Sequence, residues 1–260
     1  MAAPAAESQT EGSVVTTLNS GGRFPALIVC EHASNHIPEA FAGLGVSKEV
    51  ASSHAAWDPG ARQVSLFLSE LLNAPCVLGE VSRLVYDCNR PPSASDAIVE
   101  RSEIHRIPGN ERLASEDRKQ RVSRYYMPFK QAVEDAVKAL PAGSVLITIH
   151  SFTPVYFGTR REVELGILHD EDSRLADAML SSLPRHSSHV VRRNEPYGPQ
   201  DGVTHTLKLH AIANRLPNVM IEIRSDLIAS DLQCREMAQL LHKVLLEALT
   251  GFELQWEQQA

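Results

Sequence analysis

Residues 25–35 read PALIVCEHASN, an apolar run of strand-forming residues that gives way at once to polar side chains. A short, continuous apolar run of this kind is typical of a strand that is buried on both faces of a sheet. Residues 60–73, GARQVSLFLSELLN, repeat apolar residues at helical spacing, which predicts a helix with one face packed on that sheet. Together the two stretches predict a strand, a polar loop and a helix, the unit from which α/β folds are built.

Strands and helices alternate through the rest of the chain. Apolar stretches predict further strands at residues 74–81, 144–149, 164–169, 188–191 and 218–223. Helical spacing predicts helices at residues 115–140, 172–183 and 205–216, and a closing amphipathic helix at residues 234–249. This order predicts an α/β fold, a single-domain mixed, mostly parallel sheet with helices on both faces. We expect the domain to span residues 21–260, behind a disordered N-terminal tail at residues 1–20.

The overall composition is that of a globular protein with an acidic balance of charge. Hydrophobic residues make up 43% and charged residues 22% of the 260 residues, which allows a sizeable core. The net charge of −7 argues against a general affinity for nucleic acid or for anionic membranes. The four cysteines are widely spaced, and we find neither a signal peptide nor an apolar stretch of membrane-spanning length. These features predict a cytoplasmic protein, while the oligomeric state stays open.

Polar side chains stand at the ends of three predicted strands, where open α/β sheets bind their ligands. His32 follows the strand at residues 25–30, His150 follows the strand at residues 144–149, and Glu222 stands near the end of the strand at residues 218–223. Catalytic zinc takes three protein ligands from His, Asp and Glu and leaves one position for water. Two histidines with a carboxylate at a third strand end therefore predict a hydrolytic zinc site. The alternative is that His32 and His150 only satisfy backbone groups in loops.

Six motifs resemble the N-formylglutamate amidohydrolase family, in order, over nearly the whole chain after the tail. They are CEHASNHIP (30–38), AAWDPGA (55–61), SRLVYDCNRPP (82–92), ITIHSFTP (147–154), RNEPYG (193–198) and IEIRSDLI (221–228). The resemblance implies a phosphorylase/hydrolase-like α/β fold, similar to zinc carboxypeptidases and aspartoacylase-like enzymes. It also implies zinc at strand ends and a glutamate on a late strand, and His32, His150 and Glu222 stand at those positions.

The third metal ligand is left open by the sequence. The carboxypeptidase pattern is a histidine, two further residues and then a glutamate, whereas Asn35 stands at the glutamate position here and a neutral amide is a poor zinc ligand. Asp58 is the first choice, because it stands at the entrance of the next helix and supplies the missing negative charge. An equal alternative is that Asp58, followed by Pro59, caps that helix and needs no metal. Glu31 and His36 are lesser candidates.

The resemblance also implies a small anionic substrate, an N-acyl amino acid whose carboxylates need arginine partners. Asn89 and Arg90 form a pair that is similar to the carboxylate clamp of zinc carboxypeptidases. The remaining predicted substrate contacts are Asn35, Arg83, Ser151 and Arg224.

The expected reaction is zinc-dependent hydrolysis of a C–N amide bond, with Glu222 acting first as general base and then as general acid. If the substrate is N-formyl-L-glutamate, the products are formate and L-glutamate. The alternatives are a carboxypeptidase or deacylase that acts on another acyl amino acid, and a non-catalytic binding protein with the same fold.

Overall fold

A seven-stranded mixed sheet forms the centre of the computed structural model, which describes residues 13–257 of the chain. In chain order the strands are β1 (Val15–Leu18), β2 (Ala26–Cys30), β3 (Cys76–Gly79), β4 (Arg101–Ser102), β5 (His105–Arg106), β6 (Val145–Phe152), β7 (Val155–Tyr156), β8 (Thr159–Arg160), β9 (Leu165–Leu168), β10 (Val191–Arg193) and β11 (Asn218–Arg224). The sheet has the order β1-β3-β2-β6-β11-β9-β10, and β4–β5 and β7–β8 form two small hairpins. The β1–β3 and β9–β11 pairs are antiparallel, and the other pairs of the sheet are parallel.

Helices pack on both faces of this sheet. The helices α2 (Ala61–Leu72), α5 (Arg174–His186) and α6 (Asp231–Glu257) pack on one face, and α4 (Met127–Ala139) packs on the other. The chain also forms the short helices α1 (Lys48–Ser52) and α3 (Ser115–Arg121). A π-helical turn at Val122–Tyr126 joins α3 to α4, so the predicted helix at residues 115–140 forms with this interruption. The segment predicted as a helix at residues 205–216 is helical over residues 205–214, mainly as a π-helical turn, Leu207–Ala211, and a 3-10 turn, Ile212–Asn214. Among the described residues, none of the helices combines the length and the apolar character that crossing a membrane requires.

The central strands place alternate side chains in two separate cores. One core lies against α2, α5 and α6 and takes from the sheet Ile28, Ile147 and Ile221. The other lies against α4 and takes from the sheet Leu27, Leu146 and Met220. Because both faces of these strands are buried, their sequences show continuous apolar runs and not an alternation. The predicted α/β class, with a mixed and mostly parallel sheet covered on both faces, is confirmed.

Strand β6 is longer than its sequence pattern predicts. His150 and Ser151 lie inside the strand and not after it, because β6 continues to pair with β11 as far as Phe152. In this register His150 lies directly beside Glu222 on the neighbouring strand. The strand expected at residues 188–191 also differs from its prediction, because it begins later, as β10 (Val191–Arg193).

The predicted tail at residues 1–20 is wrong for its last part. Val15–Leu18 forms strand β1, which pairs antiparallel with β3 from Val15 opposite Gly79 to Leu18 opposite Cys76. The β-branched residues of this short segment suit a strand, and their pairing gives the backbone groups of β3 a partner at the sheet edge. Residues 1–12 lie outside the described part of the chain.

The helix start that follows Asp58 depends on a glycine. Gly60 has a φ of +82° and stands at the N-cap of α2. A Cβ atom there would lie 2.4 Å from the carbonyl oxygen of Ile228 and 2.8 Å from its Cδ1 atom. The residue is therefore restricted both by its backbone conformation and by its neighbour.

We expect Gly60→Ala to lower the free energy of unfolding by about 2 to 5 kcal/mol, from left-handed strain plus overpacking. Gly143→Ala is the matched control, because Gly143 has a φ of +80° but nothing within 4 Å of the added Cβ. That variant should lose only about 1 to 2 kcal/mol. Urea denaturation measures both losses, and equal losses would show that the Ile228 contact has no effect.

Candidate active site

A cavity of about 340 Å³ opens at the carboxyl ends of the parallel strands β2, β6 and β11. His32, Asp58, His150 and Glu222 line it, so the structure brings the predicted metal ligands and the predicted base together. The loop after β2 is held to the segment before α2 by a backbone hydrogen bond from the Asp58 amide to the His32 carbonyl, at 3.0 Å. This contact holds Asp58 next to His32, although the two residues are far apart in sequence.

Both histidines turn their Nδ1 atoms to the same carboxylate oxygen. His32 Nδ1 donates to Asp58 Oδ2 at 3.2 Å, and His150 Nδ1 donates to the same oxygen at 2.9 Å. The backbone amide of Ser151 also donates to it, at 3.3 Å. Burial raises the pKa of Asp58, but the two imidazoles outweigh it and hold that pKa well below its usual range. The Asp58 carboxylate is therefore ionised inside the protein.

The outer nitrogens of both rings also face carboxylates. His32 Nε2 donates to Asp87 Oδ1 at 2.7 Å, and His150 Nε2 lies 3.1 Å from Glu31 Oε2. Burial lowers the pKa of His150, but Glu31 and Asp58 outweigh it and raise that pKa well above its usual value. Burial and the Arg83 guanidinium lower the pKa of His32, but Asp87 and Asp58 outweigh them, so that this pKa is raised as well.

The Arg83 guanidinium binds two of these carboxylates, Asp58 and Asp87. Its Nη2 atom donates to Asp87 Oδ2 at 2.8 Å, and its Nη1 atom to Asp58 Oδ1 at 3.4 Å. The backbone amide of Arg83 is itself fixed by the carbonyl of Ala56, at 3.1 Å. The guanidinium also lines the cavity, with 30% of the side chain exposed.

The donor set formed by His32, Asp58 and His150 fits a metal ion. One ligand atom from each of the three buried residues lies within 4.8 Å of the others. Two imidazole nitrogens and one carboxylate oxygen are a common ligand set of catalytic zinc. Metal-bound histidines usually give their second ring nitrogen to a carboxylate. Asp87 accepts such a hydrogen bond from His32, and Glu31 lies 3.1 Å from His150 Nε2. These three side chains could therefore hold a metal ion.

The other candidates for the third ligand lie elsewhere. Asp58 does not cap α2 with its side chain, because the N-cap is Gly60 and no side chain caps that helix. Glu31 lies behind the ring of His150, on the side of Nε2. Asn35 is exposed and donates to the carbonyl of Ala51 at 3.0 Å, and His36 is exposed as well. Of the four candidates, only Asp58 stands between the two histidines.

Glu222 is buried beside His150 and differs electrostatically from Asp58. Its Oε2 atom has no hydrogen-bond partner within the described part of the chain. Burial, together with the negative charge of Asp58, raises the pKa of Glu222 to about 7 in spite of the opposing effect of His150. Glu222 is not the partner of Arg224, which instead binds Glu164 at 3.2 Å and Asp226 at 2.8 Å. A carboxyl group with this pKa can take up and release a proton near neutral pH.

The predicted substrate contacts divide into those that line the cavity and those that do not. Arg83, Asn89, Arg90 and Ser151 line it, whereas Asn35 and Arg224 are absent from its lining. Asn89 is held by protein groups, because its Nδ2 donates to the Val203 carbonyl and its Oδ1 accepts from the Thr206 amide. Ser151 Oγ donates to the Pro59 carbonyl at 2.8 Å. Substrate contact stays a prediction for the four residues that line the cavity. For Asn35 and Arg224, which do not line it, the geometry does not favour such a contact.

Several residues of the site were not singled out from the sequence. Asp87 carries a visible signal, because it stands within the motif SRLVYDCNRPP just before the Asn89–Arg90 pair. The sequence marks Glu31 only as a candidate metal ligand and gives no sign that it faces a ring nitrogen of His150. The cavity lining also includes Arg101 from β4 and Tyr156 from β7. These two strands are too short for any periodic pattern to reveal them.

Comparison with known proteins gives one family and two informative structures. The model of the N-formylglutamate amidohydrolase family matches residues 24–229. Gene product Atu2144 from Agrobacterium tumefaciens is 52% identical and has a TM-score of 0.90, over 94% of this chain and 97% of that chain. The N-formylglutamate amidohydrolase from Ralstonia eutropha JMP134 shares the fold, with 18% identity and a TM-score of 0.68 over 91% of this chain and 98% of that chain. No curated protein sequence matches the chain.

The family that the six sequence motifs resemble is thus the family whose model matches most of the chain, and that prediction is confirmed. The chain is a hydrolase that belongs to the N-formylglutamate amidohydrolase family.

Proposed function

We propose that this protein is a zinc-dependent amidohydrolase that cleaves the C–N bond of an N-acyl amino acid, with N-formyl-L-glutamate as the first candidate substrate. The products would be formate and L-glutamate. The observation that supports this best is the buried group of His32, Asp58 and His150 beside Glu222, whose pKa is raised to about 7. Family membership and the name of the Ralstonia eutropha protein support the choice of substrate.

The chemistry of the three side chains favours zinc over harder cations. Two imidazole nitrogens and one carboxylate suit zinc, whereas calcium and magnesium prefer sites made of oxygen alone. When bound, zinc supplies a Lewis acid that polarises the scissile carbonyl and favours ionisation of water. The protein supplies the rest: Asp87 orients the His32 ring through a hydrogen bond to Nε2, and the Glu31 carboxylate faces Nε2 of His150.

Glu222 acts as the proton carrier in the proposed reaction. Its carboxylate accepts a proton from the attacking water and later donates it to the leaving nitrogen, so that water and amide give a carboxylic acid and a free amine. Its buried position supports this role, because a pKa of about 7 makes both steps accessible near neutral pH. Arg83, whose guanidinium lines the cavity, adds positive charge where the carbonyl oxygen becomes negative.

The first experiment measures the metal content of the purified chain and then its activity on a panel of N-acyl amino acids. The panel contains formyl, acetyl and succinyl derivatives of acidic and neutral amino acids, and release of free amine is the readout. Preference for another acyl group would indicate a deacylase of different specificity. Metal binding without turnover of any member would favour the non-catalytic alternative.

We expect about one zinc per chain, and we expect His32→Ala, His150→Ala and Asp58→Asn each to lose most of it, because each removes one donor. Asp58→Asn keeps the size of the side chain and so separates lost coordination from lost packing. Elemental analysis measures the zinc, and circular dichroism verifies that each variant is folded. His36→Ala is the control and should keep its metal, because His36 is exposed. Full zinc occupancy in folded variants of both His32 and His150 would contradict the ligand assignment.

We expect Glu222→Gln to keep its zinc and nearly its KM while kcat falls at least about a hundredfold, because the amide cannot carry the proton. In the wild type, kcat should rise with pH through about 7, since Glu222 must be deprotonated to act as base. This acidic limb should be absent from the variant.

Glu164→Gln is the matched control for the proton carrier, because Glu164 pairs with Arg224 and does not line the cavity. It should leave kcat close to that of the wild type. A zinc-replete Glu222→Gln enzyme with near-normal kcat would exclude Glu222 as the base.

A further inference from the structure

The three arginines that line the cavity differ in how their guanidinium groups are occupied. Arg83 is held by Asp58 and Asp87, the carboxylates next to the histidines. Arg101 makes neither a side-chain hydrogen bond nor an ion pair with any residue in the described part of the chain, although its side chain is exposed at the cavity. The availability of its donors distinguishes it from the other two.

Most N–H donors of Arg90, the arginine of the pair that is similar to a carboxylate clamp, are already bound by protein groups. Its Nε atom donates to Asp96 Oδ2 at 2.7 Å, and Nη1 donates to the carbonyls of Asn89 and Gly202 at 3.1 and 2.9 Å. Nη2 donates to the carbonyl of Asp201 at 3.3 Å. A guanidinium has five N–H donors, so little remains for a bidentate contact with a substrate. Arg90 therefore serves to hold the loop at residues 201–202 against the site.

The acidic residues around the mouth of the cavity have partners of their own. Glu103, close to Arg101 in sequence, lies 2.9 Å from His54 Nε2. Asp201 Oδ2 accepts from the Gly198 amide at 2.8 Å and from Gln200 at 3.3 Å. Neither carboxylate forms an ion pair or a hydrogen bond with Arg101, so the guanidinium donors of Arg101 stay available at the cavity.

The position of Arg101 suits the far end of a substrate. His32 and Glu222 are buried, so the scissile amide must enter deeply, whereas Arg101 is exposed on the β4–β5 hairpin at the cavity edge. In an acyl amino acid the α-carboxylate is attached next to the scissile nitrogen. A side-chain carboxylate lies further along the molecule, so it is the group expected on the side of the opening when the amide is at the buried groups.

We infer that Arg101 binds the side-chain carboxylate of an acidic acyl amino acid and so selects acidic over neutral substrates. A guanidinium can hold a carboxylate through two parallel hydrogen bonds, which makes the contact both strong and directional. This role rests on the proposed function, because it assigns the specificity of the same cavity.

The test compares N-formyl-L-glutamate with N-formyl-L-glutamine in the full-length chain. Arg101→Gln should raise KM for the glutamate substrate about 10- to 100-fold, the loss expected for one charged contact. KM for the glutamine substrate and kcat for both should change little. Arg101→Lys, which keeps the charge without the planar fork, should recover part of the loss.

Arg106→Gln is the matched control, because Arg106 lies opposite Arg101 in the same hairpin but binds Glu111 and does not line the cavity. It should leave both KM values unchanged. An unchanged KM for N-formyl-L-glutamate in Arg101→Gln would overturn the assignment. An equal rise in Arg106→Gln would also overturn it, because loss of any nearby charge would then be sufficient.

A binding measurement separates this assignment from the proposed reaction. If the wild type released no amine from any substrate, the proposed function would fail, and calorimetry with L-glutamate and L-glutamine would still test Arg101. Tighter binding of L-glutamate that is lost in Arg101→Gln supports the role of Arg101. Equal binding by wild type and variant, or no binding of L-glutamate by the wild type, contradicts it.

Discussion

Three ionised carboxylates are buried beside two imidazole rings, and the rest of the site is organised by the need to balance their charge. A buried carboxylate is costly unless it is paired and hydrogen-bonded. Glu31, Asp58 and Asp87 are matched by His32, His150 and Arg83, through contacts of 2.7 to 3.4 Å. Among the described residues Glu222 has no such cation as a direct partner, and burial raises its pKa to about 7. Environment alone thus separates a permanently charged carboxylate, Asp58, from one that can exchange a proton.

The topology of the sheet supplies the backbone positions for this charge balance. β2, β6 and β11 are parallel neighbours, so their carboxyl ends meet at one edge, where ligands of open α/β sheets bind. The strands contribute His150 and Glu222 directly, and the segments that follow β2 and β3 bring His32, Asp58 and Asp87. Rigid strands therefore carry part of the site, and loops tied to each other by backbone hydrogen bonds carry the remainder.

The sequence predicts the framework of the site better than its contacts. Continuous apolar runs identify β2, β6 and β11, because strands buried on both faces need apolar side chains at every position, and the polar residues at their ends follow from the shared edge. Pairing of side chains is harder to predict. The sequence does not show that Glu31 faces a ring nitrogen of His150, or that the donors of Arg90 are already bound. Arg101 is the extreme case, since β4 has only two residues and no pattern marks it.

The register between β6 and β11 has a consequence for how this chain can vary. Glu222 and His150 are paired across the two strands, and both point to the face opposite Ile149 and Ile221. Because side chains alternate, inserting or deleting one residue in either strand would turn one of the pair toward α2 and α6. Homologous chains are therefore expected to keep these strands constant in length. Differences in length should collect in the segment between β3 and α3, where the small hairpin borders the cavity and a change in loop size alters the shape of the opening.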